Sequence, residues 1–380
     1  MSLQSRAVTM TKQMIQIEST DPGTYENTMA NWITSQLAPY PNVQLTRQEV
    51  LPGRPNLMAE LPGDPALPAL IMICHMDTVV VGDGWTLPPF EAIEKNGKIY
   101  GRGACDMKSG LACCLSAFQY AAEMLKTSGK TPKQTLKLIC SMDEEDFMRG
   151  SEACIQSGWI TDHDWVIDAE PTNGQIQMAH KGRTWYEIDV QGHTAHASTP
   201  WKGADAIAAM SEIICEIRHA ILYAPVHPDM GSSTVTFGQI TGGYRPYVVP
   251  DHCKVWIDMR LVPPLNTEKT NAIVEAAITH AEQSVSGISA TYKITGDRPP
   301  IEQNLDSPLL ANLKMSCQEI TGQTPQVSCF TGYTDTSVIA GQLHNRNCPM
   351  DQVVSKRPIN QMNGLSLMTF YAVNKYINSL

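Results

Sequence analysis

Apolar positions recur at helical spacing over residues 4–18 and 24–38, then give way to strand-like segments at 43–49, 56–61 and 69–75. A glycine-rich turn at 101–106 leads into an apolar helix at 109–124. A strand at 135–142, a helix at 151–157 and a strand at 165–168 follow. Strands separated by helices predict an α/β domain with a mostly parallel central sheet. In such sheets ligands bind outside the carboxyl ends of the strands. Past residue 175 the pattern changes. Two strands across 175–190, a long helix at 204–223, strands at 233–240 and 253–261, a helix at 268–284 and a strand at 290–294 predict a smaller α+β unit, inserted as its own domain. The stretch DRPP at 297–300 reads as the way back, with helices expected at 308–321 and 365–379 and a last segment of the first domain at 332–341. The expected domains are therefore 1–176, 177–296 and 297–380, the first and third forming one body.

Composition narrows the partners. A chain of 380 residues with 42% hydrophobic and 17% charged residues suits a soluble globular protein. A formal net charge of −10 argues against nucleic acid or an anionic membrane surface as a partner. No apolar run is long enough to span a membrane, and the first twenty residues lack a basic-then-apolar signal pattern. Eleven scattered cysteines without a CxxC pair fit reduced thiols, so a cytoplasmic location is expected.

The run IMICHMDT at 71–78 carries the first chemistry. Side chains alternate across a strand, so His75 and Asp77 leave its end on the same side. Asp106 follows the turn GRGAC, Glu144 and Glu145 end the run LKLICSMDEE, and Glu170 follows DWVIDAE. An imidazole and several carboxylates gathered at one sheet edge would repel one another without a cation. That set of ligands suits zinc, manganese or cobalt.

These motifs, CHMDTV, GRGACDMKSGLA, SMDEE, the 168–172 run DAEPT, KGRTWYEIDVQGHTAHASTPWKGADAI, the GG…VVPDHCKVWIDMR segment and TGYTDTSVI, resemble the di-zinc amidohydrolase family of acetylornithine deacetylase, succinyl-diaminopimelate desuccinylase, aminoacylase and glutamate carboxypeptidase. The resemblance runs from about residue 56 to 340. It implies a zinc-peptidase-like catalytic domain and an inserted lid domain through which the chain forms a homodimer. Asp106 would bridge two metals, His75 and Glu170 would serve one and Glu145 the other. Asp77 would orient His75, and Glu144 would be the general base. His196, rather than its neighbour His193, matches the lid histidine that reaches across the dimer to the oxyanion. Arg260 matches the arginine that grips a substrate carboxylate, with Tyr247 and Gly332 also placed at the substrate.

The chain departs from that pattern in two places. The family's last metal ligand, a histidine, aligns with Asn360 in INQMNG, so either the Asn360 carbonyl or a recruited His344 would complete the second site, against a plain surface role for His344. Tyr247 stands where the family usually has asparagine, and Tyr333 where a small residue is common. The resulting expectation is a metal-dependent hydrolase that cleaves the amide of an N-acyl amino acid. The alternatives are a carboxypeptidase or dipeptidase of the same family, and a non-catalytic descendant that binds an amino-acid-like ligand.

Overall fold

The computed structural model describes residues 3–343. The expected helix at 365–379, His344 and Asn360 lie outside them. The chain divides into two compact units. Among the described residues, one comprises those up to Met178, Gln303–Ser328 and 334–343; the other comprises Ala179–Glu302 with Cys329–Tyr333. The second unit thus starts and ends a few residues later than the sequence pattern suggests. It also takes in Tyr333, whose ring lies 5.3 Å from the Arg183 guanidinium of the same unit.

In the first unit, helices α1 (Leu3–Ile15) and α2 (Asn27–Leu37) precede strands β1 (Gln44–Leu51), β2 (Arg54–Leu61) and β3 (Leu70–His75). Helix α3 (Lys108–Ser128), strand β4 (Leu136–Ser141), helix α4 (Arg149–Gln156) and strand β5 (Trp165–Asp168) follow. The sheet order is β1-β2-β4-β3-β5. Both β1/β2 and β2/β4 are antiparallel, whereas β4/β3 and β3/β5 are parallel. Four strands therefore run one way and β2 alone runs against them. A tight turn through Gly53, at φ +72°, folds β2 back on β1.

All six residues of β3 are buried, which explains its unbroken apolar run. Helix α3 buries a largely apolar surface and stops at Gly129 in the left-handed conformation. Its first turn runs so close to the end of β5 that a Cβ on Gly110 would sit 2.3 Å from the Ala169 carbonyl oxygen. Register sets His75 opposite Ser141 and Ile73 opposite Asp168, so β3, β4 and β5 deliver their carboxyl ends to one edge.

The second unit holds strands β6 (Gly182–Gln191), β7 (Thr234–Gly242), β8 (His252–Leu261) and β9 (Ser289–Arg298) in the antiparallel order β7-β8-β6-β9. Helices α5 (Ala206–Leu222) and α6 (Thr267–Ser284) share its hydrophobic core. Burial alternates strictly along β8, one face turned to that core. Asp205 and Asn266 cap the two helices by accepting hydrogen bonds from first-turn amides. The α+β character expected of the insertion is present. The chain re-enters the first unit with α7 (Pro308–Thr321) and α8 (Asp335–Leu343).

Candidate metal centre

The end of β3 places the His75 imidazole, fully buried, at the centre of a ring of acids. Its Nδ1 donates to the Asp77 backbone oxygen at 3.0 Å and lies 3.6 Å from that residue's carboxylate. Its Nε2 faces Asp106 at 3.1 Å, Glu170 at 3.6 Å and Glu144 at 3.9 Å. Two groups of donor atoms, each within 4.8 Å of one another, result: His75, Asp106 and Glu145, and His75, Glu144 and Glu170. The sequence-predicted ligands His75, Asp106, Glu145 and Glu170 are thus brought close to one another; Asn360 lies outside the described residues. Both groups meet at His75, whereas the resemblance assigns Glu145 to a second metal and leaves Glu144 free.

Each carboxylate reaches the ring by its own device. Asp106 follows the glycine turn, where Gly103 has a φ of +79°. Asp143, at φ +65°, turns the chain out of β4 so that Glu144 and Glu145 follow. The Glu145 amide then donates to the Asp77 carboxylate at 3.1 Å, and the Val79 amide donates to the Glu145 carboxylate at 3.3 Å. Glu170 comes from just past β5, held there by the close approach of α3.

Charge in the ring is strained by burial. Burial first, then the neighbouring acids, pushes the Glu144 and Glu170 carboxyls well above the ordinary glutamate range, against a lowering pull from His75. Burial likewise raises Glu145. Burial opposes charge on His75 too, but hydrogen bonds to Asp106 and Asp77 and the charges of Glu170 and Glu144 outweigh it, so its pKa lies well above the usual histidine value. Asp77 and Asp106 stay below the ordinary aspartate value because the His75 hydrogen bonds and charge overcome burial. A divalent cation held here would offset the charge that burial disfavours on these carboxylates. One Asp77 carboxylate oxygen is buried without a hydrogen bond among the described residues. The donor set of one imidazole and several carboxylates fits divalent metal.

Asp335 is a buried acid that sequence reasoning missed. It accepts hydrogen bonds from Ser141 and Ser151. Burial raises its pKa to about 6, and burial and its charge raise Asp168 to about 8. The run Thr334-Asp335-Thr336-Ser337, rich in capping residues at the start of an apolar helix, was the available signal.

In the second unit His196 is exposed, and its Nδ1 accepts from the Ser198 amide at 3.2 Å beside the Ser198 hydroxyl at 2.8 Å. That leaves the neutral ring's hydrogen on Nε2, free to donate. Its strand bridge to Val248 and the hydrogen bond from the Ala197 amide to the Tyr247 backbone oxygen set Tyr247, with an exposed ring, beside it. Arg260 grips Asp258 with two hydrogen bonds, of 2.8 and 2.9 Å, and so stands in an ion pair within its own strand. Gly332 lies against the Phe330 ring, where a Cβ would come within 2.6 Å. Arg183, unnoticed in KGRTW, pairs across the sheet with Arg260 on one side and Arg298 on the other. It is 8% exposed, it stacks on Trp185 at 4.1 Å, and its Nε has no hydrogen-bond partner among the described residues.

The family model described as Peptidase family M20/M25/M40 matches residues 71–353, well over half of the chain. The chain belongs to that family. It is a hydrolase acting on amide bonds. Among curated relatives, a probable succinyl-diaminopimelate desuccinylase of Staphylococcus aureus is 28% identical over 316 residues, 76% of each chain. An acetylornithine deacetylase of Buchnera aphidicola is 29% identical over 290 residues, 73% of this chain and 74% of that one. Among solved structures, the aminopeptidase PepT of Bacillus cereus superposes with a TM-score of 0.80 at 21% identity over 98% of both chains, a likeness of fold. Among the described residues no helix is long and apolar enough to cross a membrane.

Proposed function

We propose that this M20 hydrolase cleaves the amide bond of an N-acyl amino acid, releasing a carboxylic acid and an amino acid that keeps its α-carboxylate. The observation that carries the substrate class is the arginine row of the second unit. Arg183 is buried between two like charges, its pKa lowered by burial and then by Arg260 and Arg298. An anion is the natural complement of such a row. A carboxylate accepts a guanidinium's paired N–H groups. The desuccinylase and deacetylase named among the relatives support the same class.

In this reading His75, Asp106, Glu145 and Glu170 would hold two divalent ions, zinc foremost, with manganese and cobalt as alternatives. Bound there, they would supply Lewis-acid polarisation of the scissile carbonyl. Asp77 keeps His75 oriented. Glu144 takes a proton from the attacking water and passes it to the leaving amine. The enzyme acts as a homodimer, and the Nε2 hydrogen of His196 of the partner subunit steadies the oxyanion. Arg183, with Arg260 opposite it in the sheet, holds the substrate carboxylate.

The test is a panel of N-succinyl, N-acetyl and longer N-acyl amino acids set beside dipeptides, assayed after loading with zinc, manganese or cobalt. Higher kcat/KM on the N-acyl amino acids is expected. Turnover confined to dipeptides would replace this reading with a dipeptidase.

A further inference from the structure

A second set of acids lies behind the ligand-bearing loops, and its centre is already filled by an arginine. Arg54, at the start of β2, is 6% exposed. Its guanidinium donates to both oxygens of Glu26, through Nε at 3.0 Å and through Nη2, and to Asp21 through Nη2. Its Nη1 lies 3.2 Å from Asp143, and its plane stacks on Tyr25 at 4.3 Å. Glu26 and Asp143 are wholly buried. The Asp143 amide also donates to Glu26 at 3.2 Å, and Arg149 holds the Asp143 carboxylate from its other side.

What Arg54 joins is more informative than how many bonds it makes. Asp21 belongs to a short strand, Thr20–Asp21, that pairs with Thr78–Val79, directly after Asp77. Asp143 directly precedes Glu144. One guanidinium thus connects the chain after Asp77 to the chain before Glu144. Those chains also meet directly, through the Glu145 amide on Asp77 and the Val79 amide on Glu145.

We infer that Arg54 is a positioning residue for amide hydrolysis: by fastening Asp143 to Asp21 and Glu26 it sets where Glu144 and Glu145 stand relative to His75 and Asp77. The role assigned to Glu144 rests on the function proposed above; the placement of Glu145 as a metal ligand can be tested without a substrate. Lysine cannot replace the arginine. Its ammonium is a point charge and lacks the planar fork that spans three carboxylates.

The experiment compares the full-length wild type with Arg54→Met, Arg54→Lys and Asp143→Asn. Zinc affinity is measured by competition with a chromophoric chelator, folding by circular dichroism, and kcat and KM on the best N-acyl substrate. Asp143→Asn keeps the shape, and asparagine tolerates the left-handed backbone, so it reads the same tie where Arg54→Met does not fold. Groups that orient metal ligands typically cost 10- to 100-fold in affinity when removed. A loss of that size in zinc affinity is expected for Arg54→Met and Asp143→Asn, with kcat reduced and KM within about threefold, and only partial recovery in Arg54→Lys. Folded variants that bind zinc as tightly as the wild type, or full recovery by lysine, would overturn the inference. Glu144→Gln separates the two readings: full activity in that variant removes Glu144 as the base and leaves the zinc result for Arg54 standing.

Discussion

His75 gives its Nδ1 hydrogen to the backbone oxygen of Asp77, 3.0 Å away and two residues further along the chain. A carbonyl oxygen only accepts, so Nδ1 is fixed as a donor and Nε2 alone is turned to Asp106, Glu170 and Glu144. A metal-ligating histidine needs this arrangement, one nitrogen anchored and the other presented.

Asp77→Asn should fold and yet bind zinc roughly 10- to 100-fold more weakly, because the anchoring charge behind His75 is gone. Chelator competition measures this. Affinity equal to the wild type would remove the Asp77 carboxylate from the orienting role and leave it to the backbone oxygen.

Glu144→Gln keeps the size of the side chain and loses the base. Its kcat should fall by about 10²- to 10⁴-fold, while metal content per subunit stays at the wild-type level. Elemental analysis and steady-state kinetics read the two quantities separately.

Arg183→Ala should raise KM about 10- to 100-fold for a substrate with a free α-carboxylate and leave kcat nearly unchanged. The same substrate with that carboxylate amidated should show no such difference between wild type and variant. An equal effect on both substrates would take Arg183 away from the carboxylate.

Stability of the metal-free protein should fall as pH rises across the range in which Asp168 differs between its two states. Asp168 is raised from 3.8 to about 8 in the fold by burial and then by Asp335. Between those values the folded chain holds a proton that the unfolded chain has released. The slope of stability against pH is therefore negative, at most about 1.4 kcal/mol per pH unit for one group. Thermal midpoints of the chelated protein at pH 5.5 and pH 8 test this, and Asp168→Asn should shrink the difference.

Gly110→Ala would push a methyl to within 2.3 Å of the Ala169 oxygen. Overpacking of this kind costs about 1–3 kcal/mol, to be read by urea denaturation, and Glu170 is the next residue along. Metal content should fall with it.

Much of this was legible from local pattern. The six buried residues of β3 announced themselves as an unbroken apolar run ending in His75, because a strand covered on both faces has no reason to alternate. The acids at the ends of β4 and β5 were readable for a related reason: polar residues that follow an apolar strand can only sit at its rim. The family motifs then supplied roles that spacing alone does not.

The rest depended on residues far apart in the chain. Nothing in RPNL says that Arg54 meets Asp21, Glu26 and Asp143, since ion pairs across 28 or more residues leave no periodic trace. Nor does KGRTW say that Arg183 comes to lie between Arg260 and Arg298 with an Nε that has no hydrogen bond among the described residues. Strand register decides that, and register is fixed only when the sheet closes. The sequence by itself determined which residues could do chemistry and at which strand ends they emerge, because both follow from residue type and local hydrophobic pattern. Only the tertiary structure decided which charges neutralise one another and which are left for a metal or a substrate, because that depends on distances between segments that the chain order does not constrain.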